Sequence, residues 1–474
     1  MADQPAAEAP ALLTASELLD LYARRELSPV EATEAVLARI ARFNDAVNAY
    51  CHLAPEQARA EARASEARWA KGTPIGPLDG VTVGIKDNLP VAGMPARFGS
   101  RLTSSDPVAS DGAAVARLRA AGAIVVGKTA TPEFGWKAVT DSPLTGITRN
   151  PWNLARTPGG STGGGAAATV LAMGHLQIGT DGGGSLRVPA SFSGCIGLKP
   201  TRGRVPGYPP SPLGTLFHIG PLARSVADAE LALSVIGAPD ARDVLAWPAM
   251  PSPTVRARDD ALRGVRIGVS PRLGFAPRVE REVEAAFAGA VTALEELGAI
   301  CEEADPPLGD DPVAVWETIW WATAAMMLRT HGERMRTLSD PGLVAGAEHG
   351  LAIPASASVA AQLRRTEMSA AMTAFHARYD LLVTPTMPLV AFEAGALMPS
   401  TGGWGDSWPG WAPFCAPFNL TQQPAASIPC GTNADGLPIG LQIVGPVGGD
   451  QAVLAACRAI ESWRPLPRLA APLP

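Results

Sequence analysis

The sequence predicts an α/β protein, and three observations carry that expectation. Val81, Val83 and Ile85 alternate before Lys86, a helical stretch follows at 112–121, and Ile124, Val125 and Val126 form a second apolar run. This strand, helix, strand order is the signature of a sheet with parallel neighbours. Two glycine clusters, at 159–165 and 182–184, are each followed by a stretch of small or apolar residues, a helix at 166–174 after the first and residues 188–198 after the second. A buried strand, Leu381–Thr384, follows helical patterns at 279–297, 312–337 and 355–378.

Element by element, residues 15–71 read as helices. Ser16 is placed to cap a segment carrying Leu18, Leu19 and Leu21, Ser28 caps a second, and 55–70 is alanine-rich with regular charges. Residues 150–165 are a loop of Gly, Pro, Ser and Thr, and the Pro/Gly-rich passage 205–214 reads as a surface loop. Val265, Ile267 and Val269 mark a further strand. Residues 395–417 hold Gly, Pro and the tryptophans 404, 408 and 411, and read as a long functional loop. The 425–445 stretch alternates like a strand pair around a turn at Asp435 and Gly436. No internal repeat is visible.

Composition excludes several functions. A chain of 474 residues fits about three domains by length, or one large α/β unit. With 47% hydrophobic residues and a formal net charge of -6 it has material for a large core and no basic surface for nucleic acid. The apolar stretch 313–328 is interrupted by Glu317 and Thr318 and is short for a bilayer, so no membrane span is expected. The opening residues are acidic rather than basic and apolar, which points to the cytoplasm. Six scattered cysteines without a C-x-x-C pair or a nearby histidine cluster read as free thiols and give no metal site. Only five of the 39 basic residues are lysine, at 71, 86, 128, 137 and 199. Where arginine serves as the general cation, a retained lysine is a candidate for an amine that must lose its proton, although codon bias also leaves such survivors.

The glycine clusters carry the chemistry. A phosphate loop needs Gly-Lys-Ser/Thr, and residues 138–198 contain no lysine. A dinucleotide fingerprint lacks both a preceding strand and a following acid. In Thr180-Asp-Gly-Gly-Gly-Ser185, three glycines let the backbone turn its amides toward one point, as an oxyanion hole requires, or simply make a tight turn. Ser185 needs a base to act as a nucleophile. None of the six histidines sits in a triad context, and Arg187 breaks the G-x-S-x-G elbow. Lys86 ends an apolar strand, where desolvation would lower its pKa; it reads either as that base or as an ion-pair partner.

The runs VGIKDN at 83–88, GGSTGGGAAATV from Gly159, and GTDGGGSLRVPASFSGCIGLKPT from Gly179 closely resemble the amidase signature family. The resemblance extends through GKTATPEFG at 127–135, GPLARSVADAE at 220–230, LLVTPTMP at 381–388 and GLPIGLQIVGP at 436–446. It implies one amidase signature domain over 1–474: a helical segment to 75, a catalytic core at 76–230, and the rest of a mixed, partly parallel sheet with many flanking helices. It also implies a Ser–cis-Ser–Lys triad of Ser185, Ser161 and Lys86, with a cis peptide before Ser161, and an oxyanion hole from the amides of Gly182, Gly183, Gly184 and Ser185. No metal or cofactor is required. Two positions depart from the usual pattern, Thr162 where a second serine is common and Gly182 where a side chain is frequent. Asp181 and Arg187 read as an ion pair holding the nucleophile loop.

The family contains free-standing amidases, aryl-amide hydrolases, lactam-oligomer and urethane hydrolases, and the A subunit of a glutamyl-tRNA(Gln) amidotransferase. Leu216-Phe217-His218 and the tryptophan loop favour a free-standing enzyme over that component of a complex, and the intact Lys86, Ser161 and Ser185 argue against a partner-dependent, non-catalytic protein. Trp136, Phe217, Trp316, Trp404 and Trp408, with Trp320, Met326 and Phe414, suit a pocket for an apolar or aryl amide, or an aryl carbamate. The expected partner is therefore a small molecule, with homodimer formation left open.

Overall fold

The structure is a computed structural model that describes residues 8–247, 262–309 and 311–466. After a short α1 (Ala9–Leu12), Thr14 rather than Ser16 caps α2 (Ala15–Arg24). The Thr14 hydroxyl accepts from the Glu17 amide and the Glu17 carboxylate accepts from the Thr14 amide, a reciprocal Thr-x-x-Glu cap that Ser16 has no partner to form. Ser28 and Glu31 repeat the device at α3 (Pro29–Val47). The N-terminal segment is not helical throughout: β1 (Tyr50–Leu53) separates α3 from α4 (Pro55–Lys71).

The expected strand, helix, strand unit is β2 (Thr82–Lys86), α5 (Ala113–Ala120) and β3 (Ile124–Thr129), with β2 and β3 parallel. A small hairpin, β4 (Asp141–Ser142) and β5 (Gly146–Ile147), stands apart. The first glycine cluster forms the start of α6 (Gly163–Val170) instead of preceding it. There follow β6 (Leu176–Asp181), α7 (Arg187–Ser193), β7 (Ile196–Lys199), β8 (His218–Ala223) and α8 (Val226–Ile236). Next come β9 (Arg266–Val269), α9 (Arg281–Glu296) and β10 (Ile300–Glu303). The helix expected over 312–337 is two, α10 (Pro312–His331) and α11 (Glu333–Leu338), because Gly332 turns to φ 55°, ψ -131° between them. The chain ends with α12 (Pro341–Ala352), α13 (Ala355–His376), β11 (Leu381–Pro385), α14 (Pro417–Leu420), β12 (Ala425–Thr432), β13 (Pro438–Val444) and α15 (Asp450–Trp463).

Eleven strands form one mixed sheet in the order β1-β3-β2-β6-β8-β7-β12-β13-β11-β9-β10. Parallel pairs join β3-β2-β6 on one side and β11-β9-β10 on the other, and the strands between are antiparallel. The expected mixed α/β sheet is what forms. The main core packs the sheet against α5, α8, α9 and α15, while a second, tryptophan-rich core joins α10, α12 and residues 404–420. Among the described residues no helix is long and apolar enough to cross a membrane.

α12 brings this second core together through close approach. Gly342, Gly346 and Gly350 lie four residues apart, hence on one face of the helix. A Cβ at Gly342 would come within 2.5 Å of Trp136, one at Gly346 within 2.1 Å of the Trp321 ring, and one at Gly350 within 2.0 Å of the Trp321 carbonyl. The stripe therefore lets α12 lie directly on two indoles. Gly346→Ala is expected to lower stability by about 1–3 kcal/mol through overpacking. Gly289→Ala, in α9 where a Cβ meets nothing within 4 Å, should be neutral or slightly stabilising. Urea unfolding of the two variants beside the parent checks the contrast.

Candidate active site

The site lies where the parallel strands β3-β2-β6 end at their carboxyl termini, the usual place for a ligand in an α/β sheet. Lys86 is the last residue of β2, fully buried, and its Nζ lies 2.7 Å from Ser161 Oγ, 3.0 Å from Thr162 Oγ1 and 3.0 Å from Thr180 Oγ1. Burial lowers its pKa from the ordinary lysine value to about 7, against the opposing pull of the Asp181 charge. The surrounding hydroxyls fit a neutral amine. Thr162 Oγ1 donates its own proton to the Thr180 carbonyl at 3.2 Å, and Thr180 Oγ1 accepts from Asn88 Nδ2 at 2.9 Å. Both threonines are thus placed to accept an N–H from Lys86, which directs the lone pair of a neutral amine at Ser161. Three of the other four lysines, Lys128, Lys137 and Lys199, are buried too, and only Lys71 is exposed.

Ser161 follows a cis peptide bond from Gly160. Its loop is seated by backbone contact: a Cβ at Gly164 would lie 2.5 Å from both the Ala130 nitrogen and the Ala49 oxygen, so α6 abuts the ends of β3 and β1 only as glycine. The Thr162 amide donates to the Ser185 carbonyl at 3.1 Å, tying the two glycine clusters together. Ser161 and Ser185 line the same cavity, with Ser185 the more exposed. No hydrogen bond joins their hydroxyls.

The turn that carries Ser185 is clamped from behind. Arg187 Nε lies 3.0 Å from Asp181 Oδ2 and Nη2 lies 2.9 Å from Oδ1, both residues being fully buried. Arg187 also donates to the Cys415 carbonyl, Gln442 and Asn419. Burial works to raise the Asp181 pKa, but the Arg187 charge and hydrogen bonds outweigh it and hold the carboxylate below its usual range. One expectation is corrected here. The Gly184 amide donates to Asp181 Oδ1 at 2.7 Å, and so is engaged away from any oxyanion. The amides of Gly182, Gly183 and Ser185 make no hydrogen bond among the described residues.

A cavity of about 220 Å³ opens on Ser185. Its lining is Asn88–Pro90, Phe98, Phe134–Trp136, the 208–213 loop, Phe217 and Ile219, with Trp320, Thr323, Ala324 and Met327 of α10 and Leu343 of α12. These side chains are neutral and mostly apolar. The passage 205–214 is a surface loop, as expected, and its residues 208–213 also wall this cavity. Of the residues expected to meet substrate, Trp136 and Phe217 line it. Trp316 and Trp408 do not; they border a water-sized recess of about 10 Å³ next to Gly183, Gly184 and Ser185. Trp404 lines neither, being packed under Arg278 with its ring centre 4.6 Å from the guanidinium. The three tryptophans of 404–411 are core, each at most 6% exposed, while residues 405–407 between them are exposed. Met326 is 48% exposed, and its neighbour Met327 takes the cavity position. Phe414 is buried in the main core.

Thr180 and Asn88 complete the lysine's surroundings although the sequence reading assigned them no role. Both lie inside the quoted motifs, and their hydroxyl and amide groups, suited to partner a buried amine, were the available signal. Among the described residues no histidine lines either cavity: His175 bonds Thr82 and the Pro10 carbonyl, and His218 bonds the Leu216 carbonyl.

A buried amine among hydroxyls, facing a glycine turn that ends in serine, on a sheet of this order, is the form of a hydrolase acting on C–N bonds. The comparisons with known proteins agree. Residues 31–454 match the Amidase family. The acylamidase of Rhodococcus erythropolis is 34% identical over 470 residues, covering 96% of each chain. The glutamyl-tRNA(Gln) amidotransferase A subunit of Moorella thermoacetica is 35% identical over 490 residues, covering 95% of this chain and 96% of its own. The structure of a bacterial aryl acylamidase superposes with a TM-score of 0.87 at 28% identity over 96% of both chains. The chain belongs to the amidase signature family.

Asp181→Asn leaves Arg187 buried without its counter-charge and is expected to cost about 3–5 kcal/mol. Chemical denaturation of the folded variant measures it, and a loss under about 1 kcal/mol would show that the pair does not clamp the turn.

Proposed function

We propose that the chain is a free-standing amidase for apolar or aryl amides, extending to aryl carbamates, which works through an acyl-enzyme on Ser185. The observation that carries this reading is the neutral, largely apolar cavity opening on Ser185 while Lys86 is held against Ser161. Neutral Lys86 accepts a proton from Ser161, which accepts one from Ser185 as its Oγ attacks the substrate carbonyl. The oxygen of the tetrahedral intermediate takes hydrogen bonds from the free amides of Gly182, Gly183 and Ser185. Collapse breaks the C–N bond, and the proton returns through Ser161 to the departing amine. Water then attacks the acyl-enzyme, giving its proton to the same relay and releasing the acid. The reading takes the chain as one catalytic unit acting in the cytoplasm.

The second reading, the A component of an amidotransferase, has support from the 35% identity to such proteins. The described cavity lining holds no charged side chain, so a charged amide such as free glutamine would find no counter-charge there, which favours the first reading.

The test is hydrolysis by the purified protein alone of an aryl anilide, an aryl carbamate, an aliphatic amide and glutamine. An aryl substrate should be cleaved well ahead of glutamine, and Ser185→Ala and Lys86→Ala should each lose nearly all activity. Folded protein that cleaves none of the panel, or a fully active Ser185→Ala, would reject the reading. Because Lys86 acts as the neutral amine, kcat/KM should rise with pH through about 7 and level off above it. A profile flat from pH 6 to 8 would count against Lys86 as the base.

A further inference from the structure

α10 reaches the site twice. Trp320, Thr323, Ala324 and Met327 wall the large cavity, and one turn earlier Trp316 lies on the nucleophile loop. Its indole Nε1 donates to the Gly182 carbonyl at 2.9 Å. Its six-membered ring covers Gly183 so closely that a Cβ there would come within 2.6 Å of it. Trp316 is 1% exposed, stacked on Trp320 at 4.6 Å and met edge-on by Trp408 at 5.5 Å, so the indole is held on all these sides.

The peptide between Gly182 and Gly183 is the one most in need of such a hold. Flanked by two residues without side chains, it can rotate as a unit at little steric cost. A flip would present a carbonyl dipole where an N–H is needed. In a planar trans peptide the N–H points opposite to the C=O. A bond to the Gly182 oxygen therefore fixes the Gly183 N–H on the side away from the indole. We propose that Trp316 is a positioning residue for the reaction: by holding the Gly182 carbonyl it orients the Gly183 amide that stabilises the oxyanion. This rests on the reading of Ser185 as nucleophile. It separates Trp316 from a role in substrate contact, and it gives the indole N–H, not the ring alone, the function.

The experiment compares the parent with Trp316→Phe and with a form carrying 3-benzothienylalanine at 316, which keeps the ring shape and removes only the donor. On an aryl anilide, kcat should fall about tenfold or more, short of the ~10²–10³-fold typical of deleting a direct oxyanion donor, while KM stays within about twofold. Inhibition by an arylboronic acid, which forms a tetrahedral adduct on serine, should weaken by a similar factor, and the binding of the product acid should not change. Thermal unfolding shows whether each variant is folded, and the benzothienyl form decides if Trp316→Phe is not. A folded donor-free form with parental kcat, or one whose loss lies wholly in KM, overturns the proposal. Labelling of the parent by a fluorophosphonate at Ser185, absent in Ser185→Ala, tests the nucleophile separately. Labelling with unchanged Trp316 variants defeats the positioning role alone; no labelling with a fully active Ser185→Ala defeats both.

Discussion

The Asp181–Arg187 pair is the constraint on which the site depends. It joins the end of β6 to the start of α7, and through Arg187 it reaches Asn419, Gln442 and the Cys415 carbonyl, so the turn bearing Ser185 is fixed from two distant parts of the chain. Its electrostatic role is as direct. An unpaired Asp181 carboxylate near Lys86 would favour the ammonium form of the lysine. With Arg187 beside it, the carboxylate's charge is paired locally, and desolvation outweighs its remaining pull on Lys86. One buried pair thus shapes the turn that bears Ser185, while burial lowers the Lys86 pKa to about 7.

Around that clamp the second core supplies substrate space. α10 and α12 are drawn together by the glycine face of α12, and their side chains close the cavity opposite the strand ends. The wall is neutral throughout its described lining, whereas the charged groups of the site lie behind the serine, paired and dry. The space in front of Ser185 is lined by hydrocarbon, hydroxyls and the Asn88 amide. Charged support and neutral cavity surface are thus kept apart.

Much of this was legible in the sequence. Period-two alternation before Lys86 gave β2, and the family motifs gave the lysine and both serines. α12 was not legible, because three glycines in twelve residues argue against a helix until the indoles they accommodate are known. β6 was hidden by Gln177, Gly179 and Thr180, whose polar or small side chains are buried by hydrogen bonds and close approach instead of apolar packing. The tryptophans of 404–411 looked like a substrate loop because exposure was inferred from the surrounding Gly and Pro, yet large indoles near glycines were packing, not binding. The use of the Gly184 amide by Asp181 depends on a turn geometry that no spacing rule conveys. Thr14 was the readable case that was misread: the Glu three residues on identifies the cap.

The near absence of exposed lysine has a practical side. Reagents that acylate lysine side chains, and supports that immobilise enzymes through them, find one exposed target among the described residues, Lys71 at the end of α4. Lys86, in the candidate site, is buried among hydroxyls. Coupling through amines would therefore tether the protein in nearly uniform orientation, by a helix end outside the cavity lining, and leave that opening free.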